Sequence, residues 1–141
     1  MVEKYFEISA HDREMVKGRL KEALQNRPGV LFAYLHGSFI KGRFRDIDVA
    51  LYLNNVPPSP LDLELRLESE LSEAVNRYPL DVRILNGSPL SFRYNVIKNG
   101  HPIIVNDEDA RTDFEESAIL NYLDFAPFRK VYLKEALGLG V

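Results

Sequence analysis

Short apolar runs alternate with amphipathic segments along the chain, and together they predict its secondary structure. Runs rich in apolar and β-branched side chains predict four strands. They cover residues 30–35, 46–53, 80–85 and 101–105. Apolar residues spaced three or four positions apart predict helices over residues 9–28, 59–78, 88–99 and 109–137. The pattern therefore combines helices and strands within 141 residues.

Capping residues and proline mark where the first helices begin. Ser9 precedes Asp12 by three positions, in the manner of a capping box. Ser59 followed by Pro60 suits an N-cap and a first helical position. The leucines of segment 61–75 fit both strand alternation and a helical stripe. The Glu, Leu and Arg content of that segment favours the helix.

Glycine, proline and aromatic residues characterise the C-terminal part of the chain. Gly100 suits the C-cap of the helix before it, and Pro127 is expected to break or kink the last helix. Aromatic and small residues recur along that helix at steps of three or four. This C-terminal stripe consists of Phe114, Ala118, Tyr122, Phe125, Phe128 and Tyr132. Such a stripe packs in a core or forms a partner-binding surface.

Composition excludes several classes of protein. With 45% hydrophobic residues, the chain has enough apolar side chains for one compact core. A net charge of −3 and a sequence pI near 5.6 argue against a basic nucleic-acid-binding face. The chain has no cysteine, which removes disulfides and thiolate metal sites. It also shows no signal-like or membrane-spanning stretch. We therefore expect a cytoplasmic protein without stable nucleic-acid or membrane binding.

A glycine-serine pair and two carboxylates lie within twelve residues, from Gly37-Ser38 to Asp46 and Asp48. Residues two apart on a strand share one face, so both carboxylates are expected on the face opposite the core. Ionising both in a cleft is costly unless a cation compensates. Mg²⁺ is the natural candidate, because it prefers oxygen ligands and keeps positions for water or phosphate.

The loop between these residues has features of a polyphosphate site. Gly37 allows the backbone to approach a phosphate closely, and Ser38 offers a hydroxyl and an N–H group. Lys41, Arg43 and Arg45 add positive charge. The alternative for these cations is an ordinary solvated charge cluster.

This stretch resembles the catalytic signature of the DNA polymerase β-like nucleotidyltransferases, and the short chain points to their minimal nucleotidyltransferase (MNT) branch. In that superfamily a third acidic residue follows on a neighbouring strand, and Asp81 stands in that setting. Residues 99–104 and 121–128 resemble the ending of MNT antitoxins that pair with HEPN toxins. Seven residues separate Ser38 from Asp46. The family more often has roughly ten, a difference that surface loops tolerate.

The resemblance implies an α+β fold: a small mixed β-sheet flanked by helices, with a C-terminal helical extension. We expect the catalytic domain over residues 1–108 and the extension over residues 109–141, packed on that domain or on a partner. The implied activity is Mg²⁺-dependent, non-templated transfer of AMP from ATP to a hydroxyl. The implied acceptor is a tyrosine of a cognate HEPN ribonuclease toxin. The chain would then be an antitoxin, in a hetero-oligomer with its toxin.

The same resemblance implies the site residues. The catalytic and metal-binding residues would be Asp46, Asp48 and Asp81, which together hold two Mg²⁺ ions. The nucleotide phosphates would bind to Gly37, Ser38, Lys41 and Arg43.

Two other functions are open on the sequence alone. The chain could mask its toxin through the C-terminal stripe, with a vestigial catalytic motif, or it could modify the hydroxyl of a small molecule. We favour the partner-binding interpretation of the stripe because of the antitoxin-like tail. The three histidines, His11, His36 and His101, are too dispersed for a metal site, and we interpret them as structural.

Overall fold

The protein folds as a four-stranded sheet with helices on both faces. The structure is a computed structural model that describes residues 4–137, with side chains for residues 4–124. Its helices are α1 (Ala10–Gln25), α2 (Pro60–Ala74), α3 (Leu90–Asn99) and α4 (Glu108–Leu137). Its strands are β1 (Val30–His36), β2 (Ile47–Leu53), β3 (Leu80–Ile84) and β4 (His101–Val105), and a 3₁₀ turn at Ser38–Ile40 follows β1. No described helix combines the length and the apolar character that crossing a membrane requires.

The first two helices begin where the sequence predicts. The Ser9 hydroxyl accepts a hydrogen bond from the Asp12 N–H at 3.0 Å and so caps α1. Helix α2 begins at Pro60 with Ser59 as its N-cap, although the Ser59 side chain makes no capping hydrogen bond. The helical interpretation of the leucine-rich segment is therefore confirmed.

Helix α2 ends earlier than predicted. It stops at Ala74 rather than near Tyr78. Asn76 and Arg77 then adopt φ angles of 57° and 62°, in the left-handed region that ends a helix. Asparagine can adopt left-handed φ angles, so this helix end needs no glycine. The sequence therefore carried no glycine that would have marked the end of α2.

Gly100 is the predicted C-cap, whereas Pro127 does not interrupt the last helix. Gly100 is the C-cap of α3, but its φ of −95° is open to any residue. A Cβ there would lie 2.5 Å from the Val96 carbonyl oxygen and 2.8 Å from that of Leu35, so close packing requires the glycine. Helix α4 runs without interruption from Glu108 to Leu137, so the predicted break at Pro127 is wrong. The kink stays a prediction.

The sheet is mixed, as expected. Its strand order is β3-β2-β1-β4. Strand β1 is antiparallel to both β2 and β4, whereas β2 and β3 are parallel. Parallel neighbours need a crossover, and α2 supplies it. The β2–α2–β3 unit thereby places the third acidic residue beside the first pair.

Each face of the sheet has its own core. Alternate residues such as Leu35 and Val49 pack with α1 and α2, whose buried side chains include Leu20 and Leu67. The opposite face packs against α3 and α4. That second core consists of Phe32, Tyr34, Ala50, Leu85, Val96 and Phe114. Because side chains alternate along a strand, Asp48 lies on this second face with Ala50.

The C-terminal stripe is divided between core and surface. Phe114 and Ala118 are buried, with 7% and 2% of their surface exposed, so the prediction that Phe114 forms a docking surface is wrong. Tyr122 is half-buried and stacks on Tyr94 at 3.9 Å between ring centroids. The predicted domain boundary between residues 108 and 109 stays a prediction. The other side chains of the stripe lie outside the described residues: Phe125, Phe128 and Tyr132.

Candidate active site

Three carboxylates meet at one end of the sheet. Asp48 in β2 pairs in parallel register with Asp81 in β3. Asp46 stands one residue before β2, rather than within the strand as predicted. One carboxylate oxygen from each of the three residues lies within 4.8 Å of the others. The fold therefore brings together the three acidic residues that the sequence singled out, although Asp81 is 33 positions from Asp48.

The environment of these groups disfavours their charged forms. Burial is the largest cause that raises the pKa of Asp48 from 3.8 to about 7, followed by the charges of Asp46 and Asp81. Burial and the charge of Asp81 also raise the pKa of Asp46. A divalent cation would relieve this repulsion, and three carboxylates offer the hard oxygen donors that Mg²⁺ prefers. The donor set therefore fits Mg²⁺.

Gly37 brings the turn after β1 against this cluster. Its φ of 78° and ψ of −159° lie in a region that is essentially restricted to glycine. A Cβ at this position would come 2.0 Å from Oδ2 of Asp48. The glycine is thus required both by the backbone conformation and by the approach of the turn to the carboxylate.

The rest of the turn presents polar groups to solvent. Ser38 is exposed and begins the 3₁₀ turn, and its carbonyl accepts hydrogen bonds from the Lys41 and Gly42 N–H groups at 3.0 Å. Lys41 is exposed. The Arg43 guanidinium lies over the Tyr5 ring, 4.4 Å from its centroid, so this cation contacts the N-terminal segment.

Buried aromatic rings anchor the shortened loop. Phe39 and Phe44 are fully buried, and their ring centroids are 4.9 Å apart. The backbone of Phe44 pairs with that of Phe6, and Tyr78 packs on both of these rings. Sequence reasoning missed this anchor because it considered only the loop's charges. The available signal was the presence of two phenylalanines between the cations.

Arg83 is a further polar residue at the site that sequence reasoning missed. Its Nε donates to Oδ1 of Asp81 at 3.2 Å, while 60% of its side chain stays exposed. The two residues share one face of β3 because they are two positions apart. That spacing was the signal that could have found Arg83.

His36 lies beside the carboxylates but is largely buried. It occupies the position on β1 opposite Asp48, and its ring packs edge-on against Phe92 at 5.6 Å. Burial lowers the pKa of His36 and favours the neutral ring. Among the described residues its Nε2 has no hydrogen-bond partner. His11 and His101 are exposed, and the structural interpretation of all three histidines stays a prediction.

Comparison with protein families identifies the class to which the site belongs. A family model described as polymerase beta, nucleotidyltransferase matches residues 18–109. The matched region contains the Gly37-Ser38 turn and all three carboxylates. The chain belongs to this nucleotidyltransferase family, and its membership supports a transferase activity.

Solved structures share the fold at low sequence identity. One is a tri-AMPylated HEPN toxin in complex with MNT antitoxin from Shewanella oneidensis, which matches at 17% identity and a TM-score of 0.68. The match covers 89% of this chain and 98% of the other. A MntA-HepT toxin-antitoxin structure matches at the same identity and TM-score, and the match covers 88% of this chain and 98% of the other. A toxin-antitoxin structure with AMP-PNP matches at 18% identity and a TM-score of 0.68, and the match covers 86% of this chain and 98% of the other. A comparison with curated proteins finds no match.

Proposed function

We propose that this chain is a Mg²⁺-dependent nucleotidyltransferase that transfers AMP from ATP to a tyrosine hydroxyl of a cognate HEPN toxin. The observation that carries the proposal is the cluster of Asp46, Asp48 and Asp81 beside the Gly37 turn. The fold of the structures with an AMPylated toxin and with AMP-PNP supports the nucleotide and the acceptor. The chain would act as a cytoplasmic antitoxin in complex with that toxin.

In the proposed reaction the acceptor oxygen attacks the α-phosphorus of ATP, and the bond from that phosphorus to the bridging oxygen breaks to release pyrophosphate. Two Mg²⁺ ions held by Asp46, Asp48 and Asp81 would supply positive charge at the attacking and leaving oxygens. Asp81 would accept the hydroxyl proton. The Gly37-Ser38 turn would orient the β- and γ-phosphates, and Ser38 would donate its hydroxyl to them.

The loop cations have separate expected roles. Lys41 is exposed and is proposed to reach the γ-phosphate as a flexible point charge. Arg43 would have to leave the Tyr5 ring to do the same, because its guanidinium lies over that ring. We therefore expect Lys41→Ala to weaken ATP binding more than Arg43→Ala does.

The test measures the mass of the toxin after incubation with the protein, ATP and Mg²⁺. A substoichiometric amount of protein should add one or more AMP groups to the toxin and silence it. Asp46→Asn combined with Asp48→Asn should slow this transfer by at least about 1,000-fold, because the charge stabilisation of the transition state is lost. The matched control is Asp62→Asn with Asp113→Asn, two exposed aspartates that should transfer normally.

The same experiment separates modification from masking. A protein that only covers its toxin would act at equal stoichiometry without ATP and would leave the toxin mass unchanged. That result would contradict the proposed reaction. A toxin that stays unmodified while a small-molecule hydroxyl becomes adenylylated would assign the chain to the other alternative.

A further inference from the structure

A groove runs around the outer edge of the sheet beside the carboxylates. It has a volume of about 550 Å³ and lies between α2, β3 and the start of α3. Leu61 and Leu65 of α2 form one wall, and Phe92 of α3 forms part of the other. Asp81 lines the groove and also belongs to the carboxylate cluster, so the groove borders the candidate active site.

The position of the groove matches the side from which an acceptor must arrive. In-line transfer places the attacking and leaving oxygens on opposite sides of the α-phosphorus. The sheet order places β2 and its Asp48 between β1 and β3. The Gly37 turn follows β1 on one side, and the groove borders β3 on the other. If the leaving phosphates bind at Gly37 as proposed above, in-line geometry would bring the attacking hydroxyl from the side of the groove.

The walls of the groove carry exposed apolar surface. Leu61 and Leu65 are 61% and 54% exposed, although they lie on a helix whose other leucines are largely buried. Solvent-exposed leucines one helical turn apart form a small apolar patch without a role in the core. Their place beside Asp81 provides binding area for a partner that reaches the reactive centre.

The charges of the groove define the chemistry of its occupant. Glu64 and Glu68 of α2 accept hydrogen bonds from the Ile84 and Val82 N–H groups, each at 2.9 Å. These contacts occupy N–H groups of the edge strand, so an incoming chain cannot add to β3 as a regular strand. Each glutamate keeps a second carboxylate oxygen that can accept from a cation. Among the described residues that line the groove, Glu64, Glu68 and Asp81 carry carboxylates and Arg83 carries a guanidinium.

We propose that this groove is the acceptor site and that it binds a polypeptide segment with basic residues beside its reactive hydroxyl. Apolar side chains of the segment contact Leu61 and Leu65, and its basic side chains pair with Glu64 and Glu68. The hydroxyl then reaches Asp81. This inference rests on the proposed function and adds to it the surface and the charge by which the acceptor is selected.

The test compares paired variants in the transfer of AMP to the cognate toxin. Leu61→Ser with Leu65→Ser should raise the acceptor KM about 10-fold, because the apolar contact area of the two leucines is lost. The matched control is Met15→Ser with Val56→Ser, whose side chains are both 45% exposed and do not line the groove. The control should leave the acceptor KM within about twofold, and both pairs should bind MgATP normally in calorimetry.

A second pair of variants isolates the charge. Glu64→Gln with Glu68→Gln keeps an oxygen acceptor for the edge-strand N–H groups but removes two negative charges. We expect the acceptor KM to rise about fivefold at low salt and less at high salt. The control is Glu70→Gln with Glu73→Gln, at exposed positions of the same helix that do not line the groove. A lysine-flanked tyrosine peptide should compete with the toxin better than a glutamate-flanked one.

The outcomes separate this inference from the proposed function. If the wild-type protein modifies the toxin but the groove pairs keep a normal acceptor KM, the groove assignment is wrong and the function stands. The same conclusion follows if the control pair of exposed apolar residues raises the acceptor KM instead, or if the groove pairs weaken MgATP binding. If the wild-type protein never modifies the toxin, the function fails and this inference fails with it.

Discussion

Replacing Asp48 by asparagine should stabilise the protein when no divalent cation is present. The pKa of Asp48 is raised from 3.8 to about 7 by burial and by Asp46 and Asp81. That rise corresponds to about 4 kcal/mol at most, since each pKa unit is worth about 1.4 kcal/mol. Asp48 is partly exposed, and solvent screening reduces the effect to about 1–2 kcal/mol.

The pH dependence of this effect has a definite sign. Because the folded pKa lies above the unfolded one, the folded state binds more protons between pH 3.8 and about 7. The free energy of unfolding of the wild-type protein in chelator should therefore fall as pH rises through this window. Asp48→Asn removes the titrating group, so its advantage should be near zero at pH 4 and complete at pH 8.

Thermal unfolding in chelator and in Mg²⁺ tests this reasoning. At pH 8 in chelator, Asp48→Asn should raise Tm by about 3–8 °C. Mg²⁺ should stabilise the wild-type protein, because a ligand of the folded state shifts the equilibrium by mass action. It should stabilise the variant much less. Exposed Asp113→Asn is the matched control and should leave the response to Mg²⁺ unchanged. A variant that is less stable than wild type at pH 8 in chelator would refute the electrostatic argument.

Two further substitutions test the turn and the packing of α4. Gly37→Ala should cost about 1–3 kcal/mol and also abolish Mg²⁺ binding in calorimetry, since its Cβ would lie 2.0 Å from Asp48 Oδ2. Gly29 also has a positive φ, +86°, but a Cβ there would meet no atom within 4 Å. As the control, Gly29→Ala should therefore lower the stability measured by denaturant unfolding but retain Mg²⁺ binding. Tyr34→Phe removes the hydroxyl that donates to Glu115 and should cost about 1 kcal/mol in denaturant unfolding at an unchanged transfer rate. Equal Mg²⁺ affinity in the two alanine variants, or an unchanged stability of the phenylalanine variant, would contradict these assignments.

The order and type of the main elements followed from local information. Apolar, β-prone runs indicated the four strands, although of the four only β1 and β2 contain no exposed residue. Ser9 located one helix start by its capping side chain, and Ser59 followed by Pro60 located a second. The end of α2 was predicted too late, and the last helix passes Pro127 without the predicted break, while the alternative of a kink stays a prediction. Helix ends depend on surrounding contacts, and a single proline costs a long helix only some of its hydrogen bonds.

The candidate site was predictable in its carboxylates but not in its surroundings. Asp46 and Asp48 stand close in sequence, and the family pattern added Asp81. Arg83 and the ring of Phe39 were missed because sequence reasoning weighed only the acidic residues and the loop cations. Phe114 was assigned to a partner surface because helical spacing alone does not tell a core face from an exposed one.

The sequence by itself determined the element types, the glycine turn and the acidic residues, because these depend on properties of neighbouring residues along the chain. Only the tertiary structure decided that β3 lies parallel beside β2, which pairs Asp81 with Asp48. The same arrangement buries Asp48 enough to raise its pKa and leaves a groove at the free edge of β3. Burial, charge coupling and the choice of edge strand arise from segments far apart in sequence, so no local pattern contains them.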